Sequence, residues 1–215
     1  MGIFKQVQSI KFHPSGWPFV ACLSIGGFLI GSILGSPILV MAGSAAVGIY
    51  LFRIQTPTIL NNQAIITAPV SGKISDVEQT NSPDILRIES RQYLKIGIRC
   101  SLFYPASLHA PISIKIINKQ KVEDVSSRKI IITAKTMDLI QNDLPEELIL
   151  VFSSAIQSWF PECDVEINDT LSQGQMFGFL AFGGRMDLYV PSHLLPLSVV
   201  NQTCIAGETI LTRGE

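Results

Sequence analysis

The sequence predicts a mainly β protein, of β-sandwich or barrel-sandwich hybrid-like architecture, behind an amino-terminal α-helical membrane hairpin. Three observations predict it. Residues 14–52 form a 39-residue run without a charged side chain. From residue 94 onward, apolar residues recur at every second position between turn signals. Charged residues make up only 15% of the 215-residue chain, against about 25% in ordinary soluble domains.

The apolar run comes first. A helix needs about 20 apolar residues to cross the hydrocarbon core, so the run has the length of about two spans. Gly35, Ser36 and Pro37 break it in the middle, giving helices over 18–34 and 38–52. The second is short for a full span, so a re-entrant hairpin stays open. Lys5 and Lys11 precede the run and Arg53 follows it. Positive charge stays on the cytoplasmic side, which places both ends, and the remainder of the chain, in the cytoplasm at the inner membrane. Gly27, Gly31 and Gly35 are spaced by four, a face along which backbones approach closely, either within the hairpin or between two copies. Trp17 heads the run as an interfacial anchor, and Trp159 reads as core. The apolar stretch runs too far for a typical signal peptide. Met1-Gly2 opens like an acylation signal, but Gln6 stands where Ser or Thr is wanted.

The organisation expected is a hairpin anchor over 1–53 and a β domain over 54–215. In that domain Leu94, Ile96, Ile98, Cys100 and Leu102 alternate with Lys95, Gly97, Arg99 and Ser101, the period of a half-buried strand. Similar patterns cover 112–117, 129–133, 148–152, 175–182, 186–190 and 208–212. Residues 144–159 have room for a turn or more of helix. Asn81-Ser82-Pro83, Ala206-Gly207 and Gly183-Gly184 mark turns, the last read as a tight hairpin.

Several function classes are excluded. Sixteen basic and 17 acidic residues leave a net charge of −1, no footprint for nucleic acid. Cys22, Cys100, Cys163 and Cys204 make no CxxC pair, and His13, His109 and His193 are far apart, so no metal site is expected.

Ala68-Pro69-x-x-Gly72-x-Ile74 early and Val200-Asn201-Gln202-x-x-x-Ala206-Gly207-Glu208-x-Ile210-Leu211 late resemble the paired segments of biotinyl and lipoyl barrel-sandwich domains. The lysine such carriers need at a hairpin tip is absent. A wider resemblance rests on Gly174-Gln175-Met176-Phe177-Gly178-Phe179-Leu180-Ala181-Phe182-Gly183-Gly184-Arg185-Met186-Asp187-Leu188-Tyr189-Val190-Pro191, then Ala206-Gly207-Glu208-Thr209, with Phe52-Arg53 closing the hairpin and Ala68-Pro69-Val70-Ser71-Gly72 after it. This order resembles the short bacterial phosphatidylserine decarboxylases over nearly the whole chain.

The resemblance implies a link to phospholipid (phosphatidylethanolamine) metabolism and a pyruvoyl mechanism. In that family a serine attacks the preceding carbonyl, and elimination and hydrolysis leave an amino-terminal pyruvoyl group. Its carbonyl takes up the substrate amine and acts as an electron sink. A histidine and an aspartate assist the serine. Carried onto this chain, the serine falls on Gly184, the aspartate on Ser71 and the histidine on Ala106, all without the required group. Ser172 and Ser192 lie outside the Phe-Gly turn. His109 takes the place of a family arginine, and a substrate-covering loop is cut to 118–127. No catalytic residue is expected intact, and no cofactor, because Gly184 prevents a pyruvoyl group. Phe103, His109 and Arg185 are candidates for a lipid pocket, and Arg185 with Asp187 for a structural pair.

The expectation is a membrane protein of this family without self-cleavage, acting through bound phospholipid, a second copy or an active relative. The alternatives are an active decarboxylase using other residues and a membrane-anchored barrel-sandwich adaptor.

Overall fold

The computed structural model describes residues 11–58, 65–81, 92–124, 127–137, 147–156 and 161–213. Lys5, Gln6, Trp159 and the Ser82-Pro83 turn lie outside the described residues. Two compact units divide the chain, Met1–Thr56 and Pro57–Glu215.

In the first unit, β1 (Lys11–Phe12) leads through a 3-10 turn into α1 (Trp17–Ile33) and α2 (Pro37–Leu51), and β2 (Arg53–Ile54) returns to pair with β1. Prolines sit in the first turn of each helix, where their missing N–H is no loss. Gly35, at φ +76°, ends α1, and the Ser36 N–H donates back to the Gly31 carbonyl at 2.8 Å. Gly27 and Gly31 face α2: a Cβ on Gly31 would meet Pro37 Cα at 2.6 Å, and one on Gly27 the Ser44 hydroxyl. The four-residue spacing therefore serves packing inside the hairpin. Pro14–Ile33 is one helical stretch long and apolar enough to cross a membrane, and Pro37–Leu51 is shorter. Trp17 is 66% exposed at its head.

The second unit contains β3 (Ile65–Thr67), β4 (Gly72–Asn81), β5 (Gln92–Cys100), β6 (Ser107–His109), β7 (Ile114–Asp124), β8 (Ser127–Thr136), β9 (Glu147–Ser154), β10 (Glu162–Cys163), β11 (Thr170–Leu171), β12 (Met176–Phe179), β13 (Gly184–Pro191), β14 (Leu195–Pro196), β15 (Thr203–Cys204) and β16 (Ile210–Arg213). An eight-stranded sheet runs β11-β7-β8-β9-β13-β5-β4-β15, flanked by β10-β12-β6 and β14-β16-β3. The mainly β prediction is borne out. Ile96 and Ile98, Met186 and Leu188, Leu150 and Phe152 line the inner face, all fully buried. Phe152 meets Phe177 of β12 edge to face at 6.0 Å, joining the large sheet to a small one.

The two barrel-sandwich segments lie side by side: β15 pairs with β4 and β16 with β3, and Ala68 N–H reaches the Thr209 carbonyl at 2.8 Å.

Three local expectations are corrected. Within 144–159, the described residues form strand β9 and a short bend after it, because Leu148, Ile149, Leu150 and Phe152 are buried in a strand laddered on both sides. The described residues of 118–127 are strand and not loop: β7 and β8 stay paired out to Asp124↔Ser127. Gly183-Gly184 is no hairpin turn. It is a corner, because β12 pairs with β6 and β10 while β13 pairs with β5 and β9.

Candidate functional site

Ser71, Ala106 and Gly184, the three positions named by the resemblance, gather at one end of the large sheet. Ser71 precedes β4; its hydroxyl accepts the Ala206 N–H at 2.9 Å, and its carbonyl accepts the Cys100 thiol at 2.7 Å. Cys100, last in β5, faces Gly184, first in β13. Ala106 enters through the Leu180 N–H, which donates to its carbonyl at 2.8 Å, and the Leu180 carbonyl takes the Gly183 N–H at 3.0 Å. Ser71, Ala106 and Gly184 are buried; among the three, the only side-chain polar group is the Ser71 hydroxyl, with no carboxylate and no imidazole. Burial pushes the Cys100 thiol up to about 12 and Cys204 to about 11, so neither supplies a thiolate.

The corner itself is closed. Phe182 and Gly183 both adopt positive φ (64° and 80°). A Cβ on Gly184 would run into the Ser153 carbonyl oxygen of β9, which is backbone and pinned in a sheet ladder. A side chain, serine included, does not fit at this residue unless the β9 backbone shifts.

His109 is buried, 2% exposed. Nδ1 lies 2.9 Å from the Gly174 carbonyl and Nε2 3.0 Å from the Ser107 hydroxyl. A carbonyl only accepts, so Nδ1 carries the proton and Nε2 receives the Ser107 O–H. Burial drives its pKa below the ordinary 6.5, only partly opposed by the Gly174 carbonyl. Both ring nitrogens are thus engaged within the core.

Arg185 points to the outer face of the sheet. Its Nη2 reaches Asp76 at 2.9 and 3.1 Å and its Nε reaches Asp187 at 2.8 Å; Lys95 joins Asp76 at 3.4 Å and Glu78 at 2.8 Å. Gly97 makes room for this network, because a Cβ there would sit 2.5 Å from the Asp76 carboxylate. Burial raises Asp76, but the Ser75 hydroxyl and the charges of Arg185 and Lys95 outweigh it and hold the carboxyl below the usual range. At Asp187 burial wins over Arg185 and the pKa rises. Phe103 is 74% exposed. The three residues proposed for a lipid pocket therefore occupy three settings: solvent, core and outer face.

Sequence reasoning missed the Ser107–His109 pair and the blocking role of Ser153. The first had a signal, since residues two apart on a strand share a face. The second had none, because the approach of the Ser153 carbonyl to Gly184 is fixed only by the sheet.

A family model described as phosphatidylserine decarboxylase matches residues 46–212. Among curated relatives, the phosphatidylserine decarboxylase proenzyme of Mycolicibacterium vanbaalenii is 30% identical over 93% of this chain and 87% of its own length. Those of Ruegeria pomeroyi and Paramagnetospirillum magneticum are 28% identical (93% of each chain) and 26% identical (96% and 90%). No solved structure matches. With the motif order, the paired barrel-sandwich segments and these matches in agreement, the chain belongs to the phosphatidylserine decarboxylase family.

Proposed function

We propose that this chain is a membrane-anchored, uncleaved member of its family, which holds phospholipid at the cytoplasmic face of the inner membrane without decarboxylating it. The observation that carries the reading is the corner at Gly184. The residue there has no hydroxyl to attack the preceding carbonyl, and the Ser153 carbonyl fills the space a side chain needs. Ala106 and Ser71 add support, as neither moves a proton in the manner of a histidine or orients one in the manner of a carboxylate. The apolar hairpin over 1–53 supplies the anchor, with the β domain over 54–215 on the side of Lys11 and Arg53.

The test is the intact mass of the membrane-extracted protein under denaturing conditions. One species near 23.5 kDa is expected, with phospholipid retained when the folded protein is sprayed from lipid nanodiscs. Two fragments, the smaller with a keto-blocked terminus, would overturn the reading and restore the decarboxylase.

A further inference from the structure

The sheet register places one row of residues across six strands. Thr203 faces Lys73, Lys73 faces Arg99, Arg99 faces Arg185, Arg185 faces Ser153, and Ser153 faces Lys129. Four of the six are cations. Like charges directly opposite one another on neighbouring strands are destabilising, and here they stand opposite twice in succession, Lys73 to Arg99 and Arg99 to Arg185. Internal pairing relieves only Arg185, through Asp76 and Asp187. Lys73 and Arg99 are exposed. Among the described residues neither these two nor Lys129 has an ion pair. By contrast, the cross-strand pair of Lys115 and Lys135 has Glu147 opposite Lys135.

Just beyond this row, at the end of the sheet that carries Ser71 and Gly184, three apolar side chains stand in solvent. Leu102 and Phe103 follow β5 and are 44% and 74% exposed; Ile205 follows β15 and is 41% exposed. The alignment is fixed by the ladders, since Cys204 pairs with Gly72, and Lys73 beside it pairs with Arg99. Unpaired cations beside exposed apolar side chains match an anionic lipid surface, with headgroups meeting the charge and acyl chains the apolar tip.

We infer that this end of the sheet docks on an anionic phospholipid bilayer through Lys73, Arg99 and Lys129, with Leu102, Phe103 and Ile205 entering the acyl boundary. The inference rests on the proposed membrane role and names the surface that faces the lipid. Its test uses the full chain carrying Phe103→Trp, reconstituted in vesicles with brominated acyl chains. One vesicle set is phosphatidylcholine alone; the other contains phosphatidylglycerol. Tryptophan quenching beyond that of the parent chain is expected to be at least twofold greater with phosphatidylglycerol. Adding Lys73→Gln and Arg99→Gln, or 1 M salt, brings it to the phosphatidylcholine level. The Lys115→Gln, Lys135→Gln control, which removes the same charge elsewhere, leaves it unchanged. Equal quenching in both vesicles, or none, overturns the proposal. So does an emission shift that follows protein density and ignores bromine, which would assign the surface to a second copy. Cleavage of the chain in the mass experiment would sink the earlier reading and leave this result standing.

Discussion

The carbonyl oxygen of Ser153 in β9 stands where a side chain on Gly184 in β13 would begin. The two residues are neighbours in the ladder, Arg185 pairing with Ser153 and Gly184 with Ser154. The space is therefore closed by main chain, which moves only with the sheet.

A serine introduced at this residue is expected not to bring self-cleavage. Gly184→Ser should lower stability by about 1–3 kcal/mol, the usual range for an overpacked core site, and the chain should remain one species by intact mass. A variant that splits into two fragments would show that β9 yields at Ser153.

The outer charge network depends on the missing side chain of Gly97. Gly97→Ala should displace the Asp76 carboxylate from Arg185 and cost about 1 kcal/mol, because a carboxylate at the end of a side chain swings aside more readily than backbone. In Asp76→Ala that collision has no target. Denaturation of both single variants and the double variant should therefore show a penalty for Gly97→Ala that shrinks when Asp76 is absent. Additive losses would break the link.

His109 gives an acid-side signature. Its folded pKa is depressed below the ordinary 6.5 by burial, so the unfolded chain binds the extra proton first. Stability should fall as pH drops through 6.5 toward the folded pKa, then level off. His109→Gln should flatten that part of the slope while costing about 1–3 kcal/mol at neutral pH, from the unsatisfied Ser107 and Gly174 groups. Urea midpoints at pH 7.5 and 5.0 for both proteins check the sign. A steeper slope in the variant would contradict it.

Within the hairpin, Gly31 and Gly26 should behave oppositely. A Cβ on Gly31 meets Pro37 and the Ser36 carbonyl at 2.6 and 2.9 Å, and one on Gly26 meets nothing within 4 Å. Gly31→Leu should widen the α1–α2 distance distribution between spin labels, and Gly26→Leu should leave it narrow. Equal broadening in both would place the helix contact elsewhere.

Sequence alone conveyed the elements whose signal is local. The uncharged run gave two helices within a residue of their ends, because Gly35 and Pro37 punctuate it. Period-two burial gave β5, β9 and β13. The outer half of β7, from Asn118, was hidden because its sequence is polar apart from Val122, which packs on the Tyr93–Ile131–Ile149–Tyr189 cluster. The corner at Gly183 was misread because a Gly-Gly step encodes a turn but says nothing of which sheet each arm joins. At the site, the resemblance alone named Ser71, Ala106 and Gly184 together, far apart as they are in the chain. The Asp76–Arg185 bond spans 109 residues and the Ser153 obstruction links two strands, so both exist only once the sheet has assembled.

Strand β13 lies between β9 and β5, laddered to β5 throughout and to β9 from Gly184 to Tyr189. Its first residue is Gly184. A cut at that residue in a relative of the same topology would leave the short carboxy-terminal piece woven through the middle of the sheet, with β16 still clasping β3. Such a cut would change chain number without changing particle size. Sizing columns and native gels would be blind to it, and only a denaturant would reveal whether one polypeptide or two had been present.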